Sequence, residues 1–160
     1  MQNKIGQNDY YLEKVERQII NKKLSLLDET FTFNESEFNF KYLDKLNKFL
    51  FRDFYSDDEV GLRKMNLLET KIIEFYLNEI TRICISTPDD IEHILNIVYE
   101  IWHLQPFNNG NTRTMIAFLI IINHAFLLDL DINLNKEIKS GTDMFKLNNI
   151  VNQKRLTKNK

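Results

Sequence analysis

Apolar residues recur at three- to five-residue steps along four segments of the chain, which is the spacing of helices that bury one face. These segments are about Tyr10–Leu27, Tyr42–Leu50, Leu67–Ile83 and Ile91–Trp102. A further run, Met115–Leu128, is apolar except near Asn123 and His124, and it predicts a helix buried on most sides. A last helix is predicted over about Lys136–Val151. The pattern as a whole predicts an all-α fold.

The start and end of the fourth helix carry strong local signals. Thr87 followed by Pro88 and two aspartates is typical of a helix start, because a hydroxyl accepts an unpaired N–H and acids favour the positive end of the helix dipole. Pro106 is expected to end the same helix, since the residue before a proline avoids the helical region.

Two connecting segments have no helical period. Phe31–Phe40 alternates aromatic and small polar residues, so we expect a loop that is held to the core by Phe31, Phe33, Phe38 and Phe40. The acid-rich stretch Asp53–Val60, which precedes Gly61, is expected to form a loop or a short hairpin.

Length and composition indicate a single domain over residues 1–160. The chain has only 4 Gly and 2 Pro, which is few for a turn-rich β fold. A formal charge of -2 does not favour nucleic acid as a partner. The basic tail, residues 153–160, is the one segment that could bind it, and a solvated, frayed end is the favoured explanation of those residues.

Cysteine content and hydropathy bear on the location of the protein. The single cysteine, Cys84, excludes an internal disulfide framework and a cysteine-based zinc site. The N-terminus lacks a signal-peptide core, and no apolar run reaches the roughly 20 residues of a bilayer span. We therefore expect a cytoplasmic protein without membrane association.

The turn between the fourth and fifth helices carries the chemistry that this sequence offers. Gly110 can adopt a left-handed conformation, and the helix that follows presents unpaired N–H groups and about half a positive charge, which suits a phosphate. Arg113 is the only formally charged residue from 104 to 128, and an anion would offset its unfavourable position in the first helical turn. A tight interhelical turn with Arg113 in solvent is the simpler alternative.

Residues 103–114, His-Leu-Gln-Pro-Phe-Asn-Asn-Gly-Asn-Thr-Arg-Thr, resemble the signature HPFx(D/E)GNGRxxR of the Fic (Fic/Doc, cell-filamentation) family. Five positions match in register: Pro106, Phe107, Gly110, Asn111 and Arg113. Residues 50–55 resemble the family segment that leads into its target-docking flap, here Asp53–Lys64. The resemblance covers about residues 40–130 and implies a compact helical bundle with a short flap hairpin or loop.

The resemblance also implies an activity, the transfer of AMP from ATP to a hydroxyl of a target protein, with Mg²⁺ on the phosphates. Phe107 would anchor the loop in the core, Asn111 would face the transferred phosphate, and Arg113 would hold the outer phosphates. The phosphate-binding set would be Asn108, Asn109, Gly110, Asn111, Thr112 and Arg113. Target docking would fall to Glu59, Val60, Gly61, Leu62 and Arg63 of the flap.

Four positions depart from the family pattern. Gln105 occupies the place of the catalytic histidine, and an amide has no pKa near 7, so the general base is missing at a cost of about 10² to 10⁴ in rate. Asn109 stands in place of the metal-binding acid and would hold Mg²⁺ weakly. Thr112 replaces the second glycine, and Ile116 replaces the second arginine.

Two further features of the family have partial counterparts in this chain. His103 could replace the base only if the helix unwinds, because helix neighbours two apart point about 200° away from each other; a histidine at the helix C-terminus is the alternative. Ser25–Glu29 fits the start of the family's inhibitory motif, but Thr30 breaks its end, and an ordinary surface helix also explains the segment.

Two functions remain open from the sequence. The first is a nucleotide-binding protein adenylyltransferase with an impaired active site, which uses ATP and Mg²⁺ and modifies a target-protein hydroxyl. The second is a catalytically inactive nucleotide- or anion-binding module that regulates a protein partner through the flap.

Overall fold

The computed structural model describes residues 9–27, 38–83, 87–126, 128, 130–132 and 151–152. Five α-helices lie in these parts of the chain: α1 (Asp9–Ser25), α2 (Phe40–Phe51), α3 (Leu67–Arg82), α4 (Pro88–His103) and α5 (Asn111–Ala125). A short 3-10 helix, Asp57–Glu59, lies between α2 and α3. Two-residue strands β1 (Asp131–Ile132) and β2 (Val151–Asn152) pair antiparallel. The predicted all-α fold is confirmed.

Side-chain caps fix where α3 and α4 begin. At α3, the Asn66 side chain accepts from the Glu69 N–H at 2.8 Å, and the Glu69 carboxylate accepts from the Asn66 N–H at 3.1 Å. At α4, the Asp90 carboxylate accepts from the Thr87 N–H at 2.9 Å. These bonds satisfy donors that a helix start leaves unpaired, and the predicted start of α4 at Thr87-Pro88 is confirmed.

Helix α5 forms the centre of the bundle. It packs against α2 and α4, while α3 packs on α4 and α1 on α2. Every residue from Thr114 to Leu119 is buried, which confirms the prediction of a helix covered on most sides. No helix within the described residues has the length and apolarity needed to cross a bilayer.

A polar residue closes the apolar run of α5. The Asn123 side chain accepts from the Leu130 N–H at 2.9 Å and donates to the Leu130 carbonyl at 3.0 Å. The amide thus satisfies both backbone groups of a buried residue after the helix, which explains why the apolar pattern breaks there.

The aromatic loop before α2 is described only at its end. Phe38 is buried and contacts the rings of Tyr42, Phe118 and Phe126, and Phe40 packs partly on the core, as predicted. Phe31, Phe33, Glu29, Thr30 and Cys84 lie outside the described residues.

The predicted last helix is wrong at its end. Val151 pairs with Ile132 in a short antiparallel ladder rather than ending a helix. The partner lies far away along the chain, so no local pattern could indicate the pairing. The rest of Lys136–Val151, and the tail 153–160, lie outside the described residues.

Candidate functional site

The loop between α4 and α5, residues 105–113, begins at a residue with an unusual backbone. Gln105 has a φ of 49°, in the left-handed region that residues with side chains rarely adopt. Its N–H donates to the Trp102 carbonyl at 2.8 Å, and its side-chain Nε2 donates to the same carbonyl at 2.9 Å. The Gln105 amide therefore caps the C-terminus of α4.

Phe107 anchors the loop in the core, where its side chain is 2% exposed. The amide of Asn111 spans the backbone of Phe107, with Oδ1 accepting from the Phe107 N–H at 2.8 Å and Nδ2 donating to its carbonyl at 3.1 Å. This is the arrangement that Asn123 makes with Leu130. Asn111 thus shapes the loop through both ends of its amide.

Gly110 begins α5 in a left-handed conformation, with a φ of 73°. A Cβ at this position would overlap the ring of Phe51 on α2, so both the backbone and the space require glycine. A glycine cannot cap a helix with its side chain, and the Asn111 amide is bonded to Phe107 instead. The first N–H groups of α5 consequently receive no side-chain cap from Gly110.

The flap, Asp53–Lys64, lies along this loop. Leu62 and Phe107 form an antiparallel bridge, in which the Arg63 N–H donates to the Pro106 carbonyl at 2.8 Å and the Asn108 N–H donates to the Gly61 carbonyl at 3.0 Å. In a third contact between loop and flap, Asn109 Nδ2 donates to the Glu59 carbonyl at 2.8 Å. Flap and loop are thereby hydrogen-bonded as a pair.

One face of α2 holds this pair in place. The Gly61 N–H donates to Asn47 Oδ1 at 2.7 Å, and the Leu62 N–H donates to Asp44 Oδ1 at 2.8 Å. Asn47 Nδ2 donates to the Asn109 carbonyl and to Thr114 Oγ1, both at 2.8 Å. Residues 44, 47, 48 and 51 share one side of a helix, so α2 presents a single ridge to flap and loop.

Arg63 connects the flap to the end of α4. Its guanidinium donates to the carbonyls of Gln105 at 2.6 Å and Leu104 at 2.8 Å, and pairs with the Glu69 carboxylate at 2.9 Å. These are backbone acceptors that a helix C-terminus leaves unpaired. The hydrogen bond from Arg63 holds the pKa of Glu69 below its ordinary value.

A family model matches the region just described. The Fic/DOC family model covers residues 37–122, which is just over half of the 160-residue chain and includes α2, the flap and the loop. The chain belongs to the Fic/DOC family. No curated protein and no solved structure matches it significantly. The family match is close to the range of about 40–130 expected from the sequence, and residues 105–113 are called the signature loop below.

The residues that the resemblance aligns with the Fic/DOC signature lie together, but several already have structural partners. Gln105, at the histidine position, is bonded to Trp102, and Asn111 is bonded to Phe107. Thr112, at the second glycine position, accepts the indole N–H of Trp102 at 3.0 Å. Ile116, at the second arginine position, is 4% exposed and belongs to the core, where an arginine would be costly.

His103 does not approach the loop by unwinding of α4. The helix extends through His103, whose exposed ring stacks on Tyr99 at 5.9 Å between centroids. The structure thus gives it the helix-end position of the alternative interpretation.

Arg113 lies near the start of the flap. Burial raises the pKa of the Tyr55 phenol, the carboxylates of Glu16 and Glu59 raise it further, and the Arg113 guanidinium opposes them. The cation is therefore part of a charged group around Tyr55 that joins α1, the flap and α5. Asn109, which the resemblance aligns with the metal-binding acid, donates from Nδ2 to the Glu59 carbonyl. Its Oδ1 accepts no hydrogen bond within the described part of the chain.

Most of the predicted docking residues use their backbone N–H groups in hydrogen bonds within the protein. The N–H groups of Gly61, Leu62 and Arg63 donate to Asn47, Asp44 and Pro106 respectively. An added strand therefore finds no N–H donor on these three residues.

Sequence reasoning missed the two polar residues of α2 that hold the flap. Asp44 and Asn47 lie within an amphipathic helix, and Asn47 is fully buried in its apolar face. The available signal was the break in apolar pattern at position 47, a polar residue one turn from Leu43 and Leu50 on the buried side.

Proposed function

We propose that this Fic/DOC protein binds a nucleotide through the N-terminus of α5 and transfers AMP to a protein hydroxyl only slowly. The observation that carries the proposal is the start of α5, where a left-handed Gly110 leaves the first helical N–H groups without a side-chain cap. Such a terminus favours phosphate through its N–H groups and its dipole. The turn lies within the residues that the Fic/DOC family model matches, and its resemblance to the family signature supports a role in nucleotide transfer.

The side chains around this turn are better suited to binding a nucleotide than to catalysing AMP transfer. Arg113 brings a cation to the first turn of α5, and Asn109 Oδ1 is a neutral oxygen of the kind that Mg²⁺ accepts. We propose ATP with Mg²⁺ as the ligand, with the metal held more weakly than by a carboxylate. Gln105 itself cannot act as a general base, because its side chain is an amide, so transfer is expected to be slow.

A second candidate, an inactive nucleotide-binding module, is favoured by the contacts of Gln105. Its side chain donates to the Trp102 carbonyl and therefore acts as a helix cap rather than as a group aimed at a substrate. In this case the flap would bind a protein partner, and nucleotide binding would regulate that contact.

One labelling experiment separates these candidates. The protein is incubated with Mg²⁺, a host lysate and either α-labelled or γ-labelled ATP, beside an Arg113→Ala variant. Label from the α position alone on a protein supports AMP transfer, and label from the γ position indicates phosphate transfer. Calorimetric binding of ATP without any labelled protein supports the inactive module. Equal ATP affinity of wild type and Arg113→Ala, or no binding at millimolar ATP, would exclude the proposed phosphate site.

A further inference from the structure

Asn47 is the most connected buried polar group in the described residues. Only Asn47 and Thr114 are polar and fully buried there, and the two are hydrogen-bonded to each other. Asn47 also donates to the Asn109 carbonyl and accepts from the Gly61 N–H. Its amide has two donor hydrogens and one carbonyl oxygen, so all three groups are bonded.

The partners of Asn47 belong to three different parts of the site. Gly61 is in the flap, Asn109 is in the signature loop, and Thr114 is in the first turns of α5. The bonded groups of Gly61 and Asn109 are backbone atoms. These bonds therefore fix the position of the main chain and do not depend on the side-chain rotamer of either residue. Asn47 therefore adds a shared attachment on α2 to the hydrogen bonds that already join the flap and the signature loop directly.

We propose that Asn47 is a positioning residue that makes the flap and the signature loop move as one unit. As a consequence, a phosphate bound at the N-terminus of α5 is sensed at the flap. This second step rests on the proposed nucleotide binding, whereas the coupling of the two segments does not.

The surroundings of Asn47 leave few ways to compensate for its loss. An apolar side chain of the same size would remove the partner of the buried Gly61 N–H and of the partly buried Asn109 carbonyl. Gly61 cannot gain a side chain to fill the gap, because its φ is 87° and a Cβ would overlap Asp44 and Lys48. The neighbouring flap donors, Leu62 and Arg63, are already bonded to Asp44 and Pro106.

The coupling is tested first without nucleotide, by amide hydrogen exchange of the full chain. In Asn47→Leu we expect exchange to rise about tenfold or more in both the flap and the signature loop. The control is Thr114→Val, which removes one bond of Asn47 but keeps its bonds to Gly61 and Asn109. In this control the flap should exchange as in wild type. An increase confined to one segment in Asn47→Leu would overturn the proposal.

A second variant covers the case in which Asn47→Leu does not fold. Asn47→Asp keeps an acceptor for the Gly61 N–H, replaces the donor to the Asn109 carbonyl and Thr114 with an oxygen, and introduces a buried carboxylate. If the two segments are coupled, exchange rises in the flap although its own bond is kept. Unchanged flap exchange beside faster loop exchange would contradict the coupling.

The second step is tested by adding ATP with Mg²⁺ to the same proteins. Trp102 is the only tryptophan of the chain, and its indole donates to Thr112 at the start of α5, so its fluorescence follows binding at this site. In wild type and Thr114→Val, ATP should change the fluorescence and slow exchange in the flap several-fold. In Asn47→Leu, ATP should still change the fluorescence but leave flap exchange unaltered.

The outcomes separate the two proposals. If ATP changes Trp102 fluorescence in wild type and flap exchange stays the same, nucleotide binding stands and sensing at the flap is wrong. If calorimetry and fluorescence both detect no ATP binding, the proposed function fails, and the comparison without nucleotide alone decides whether Asn47 couples the segments. A flap response that survives in Asn47→Leu would assign the coupling to another residue.

Discussion

At the scale of single residues, Gln105 combines a strained backbone with a side chain that cannot act as a general base. A left-handed backbone at a residue other than glycine costs about 1–3 kcal/mol and persists only where its surroundings impose it. Here the Trp102 carbonyl holds the N–H and side chain of Gln105, and Arg63 holds its carbonyl. The position is therefore rigid although its side chain has no acid–base role.

Gln105→His is expected to create or raise AMP transfer. Histidine tolerates a positive φ better than most residues and titrates near neutral pH, so the backbone can stay as it is while the site gains a base. We expect a gain of about 10²-fold or more in α-label on the target, with ATP affinity unchanged. Gln105→Leu is the control. A histidine variant that binds ATP but gives no product would show that Asn109 or Ile116 limits transfer as much.

Gly110→Ala is expected to destabilise the protein by about 2–5 kcal/mol, from left-handed strain and from overlap with the Phe51 ring. Urea unfolding measures this loss. Adding Phe51→Leu removes the overlap and leaves the strain, so the double variant should be more stable than the sum of the single changes predicts. Strict additivity would mean that the ring yields freely and that Phe51 does not restrict this position.

The sequence indicated some of these residues and not their contacts. Glycine at 110 follows from the turn between two helices, and Phe107 as an anchor follows from the resemblance. The amide of Asn111 was expected to face phosphate, yet it is bonded to the backbone of Phe107. An asparagine can serve either purpose, and only the path of the loop decides which one it serves.

At the scale of elements, the start of α3 joins a helix cap to the flap. Glu69 accepts from the Asn66 N–H and pairs with Arg63, which in turn donates to the carbonyl of Leu104, the residue directly after α4. One carboxylate thus links α3, the flap and α4.

Glu69→Gln tests this link through its pH dependence. Because the folded-state pKa of Glu69 is lowered, its contribution to stability is present above the ordinary value of 4.5 and is lost as the pH falls through the folded-state value. Wild type should therefore be more stable than Glu69→Gln at neutral pH, and the difference should shrink as the pH drops below 4.5. Denaturant unfolding at several pH values measures it, with Glu74→Gln as an exposed control. If the difference in stability does not depend on pH, the effect comes from the packing and hydrogen bonds of the Glu69 side chain and not from its negative charge.

Elements with a strong local pattern were predictable from the sequence. The first five predicted helices are confirmed, since each has its own apolar stripe and α2, α3 and α4 also have side-chain caps within three residues. The bridge between Leu62 and Phe107 joins residues far apart in the chain and follows from no local signal. The same reason explains the error at Val151, whose partner is Ile132.

At the scale of the whole molecule, more of the negative charge of the flap is paired or hydrogen-bonded than its sequence suggests. Asp53 pairs with Lys23 at 2.7 Å, Asp58 accepts from the Ser56 hydroxyl, and Glu59 accepts from the Ser56 N–H. Asp57 lies near enough to Lys48 to help raise the pKa of its ammonium, after the larger effect of Asp44. Part of the charge therefore stabilises the turn itself.

Asp57→Asn with Asp58→Asn tests whether the remaining charge attracts a basic target. These changes keep the acceptor atoms of the turn and remove two exposed charges. If the flap steers a partner, capture should weaken with added salt in wild type and become weaker and less salt-sensitive in the variant. Glu74→Gln with Glu92→Gln makes the same change of charge elsewhere on the surface. A partner retained equally by all three proteins at both salt concentrations would exclude the acidic flap as the recognition element.

The ridge of α2 also bears on how this protein can change in length. Asp44 and Asn47 bond the flap, while Phe51 lies under Gly110 of the signature loop. A residue inserted within α2 would turn everything after it by about 100° and separate these contacts from one another. A residue inserted among the exposed residues Ser56–Asp58 would leave these α2 contacts in place. Insertions and deletions should therefore accumulate there during divergence, and the spacing from Asp44 to Phe51 should stay fixed.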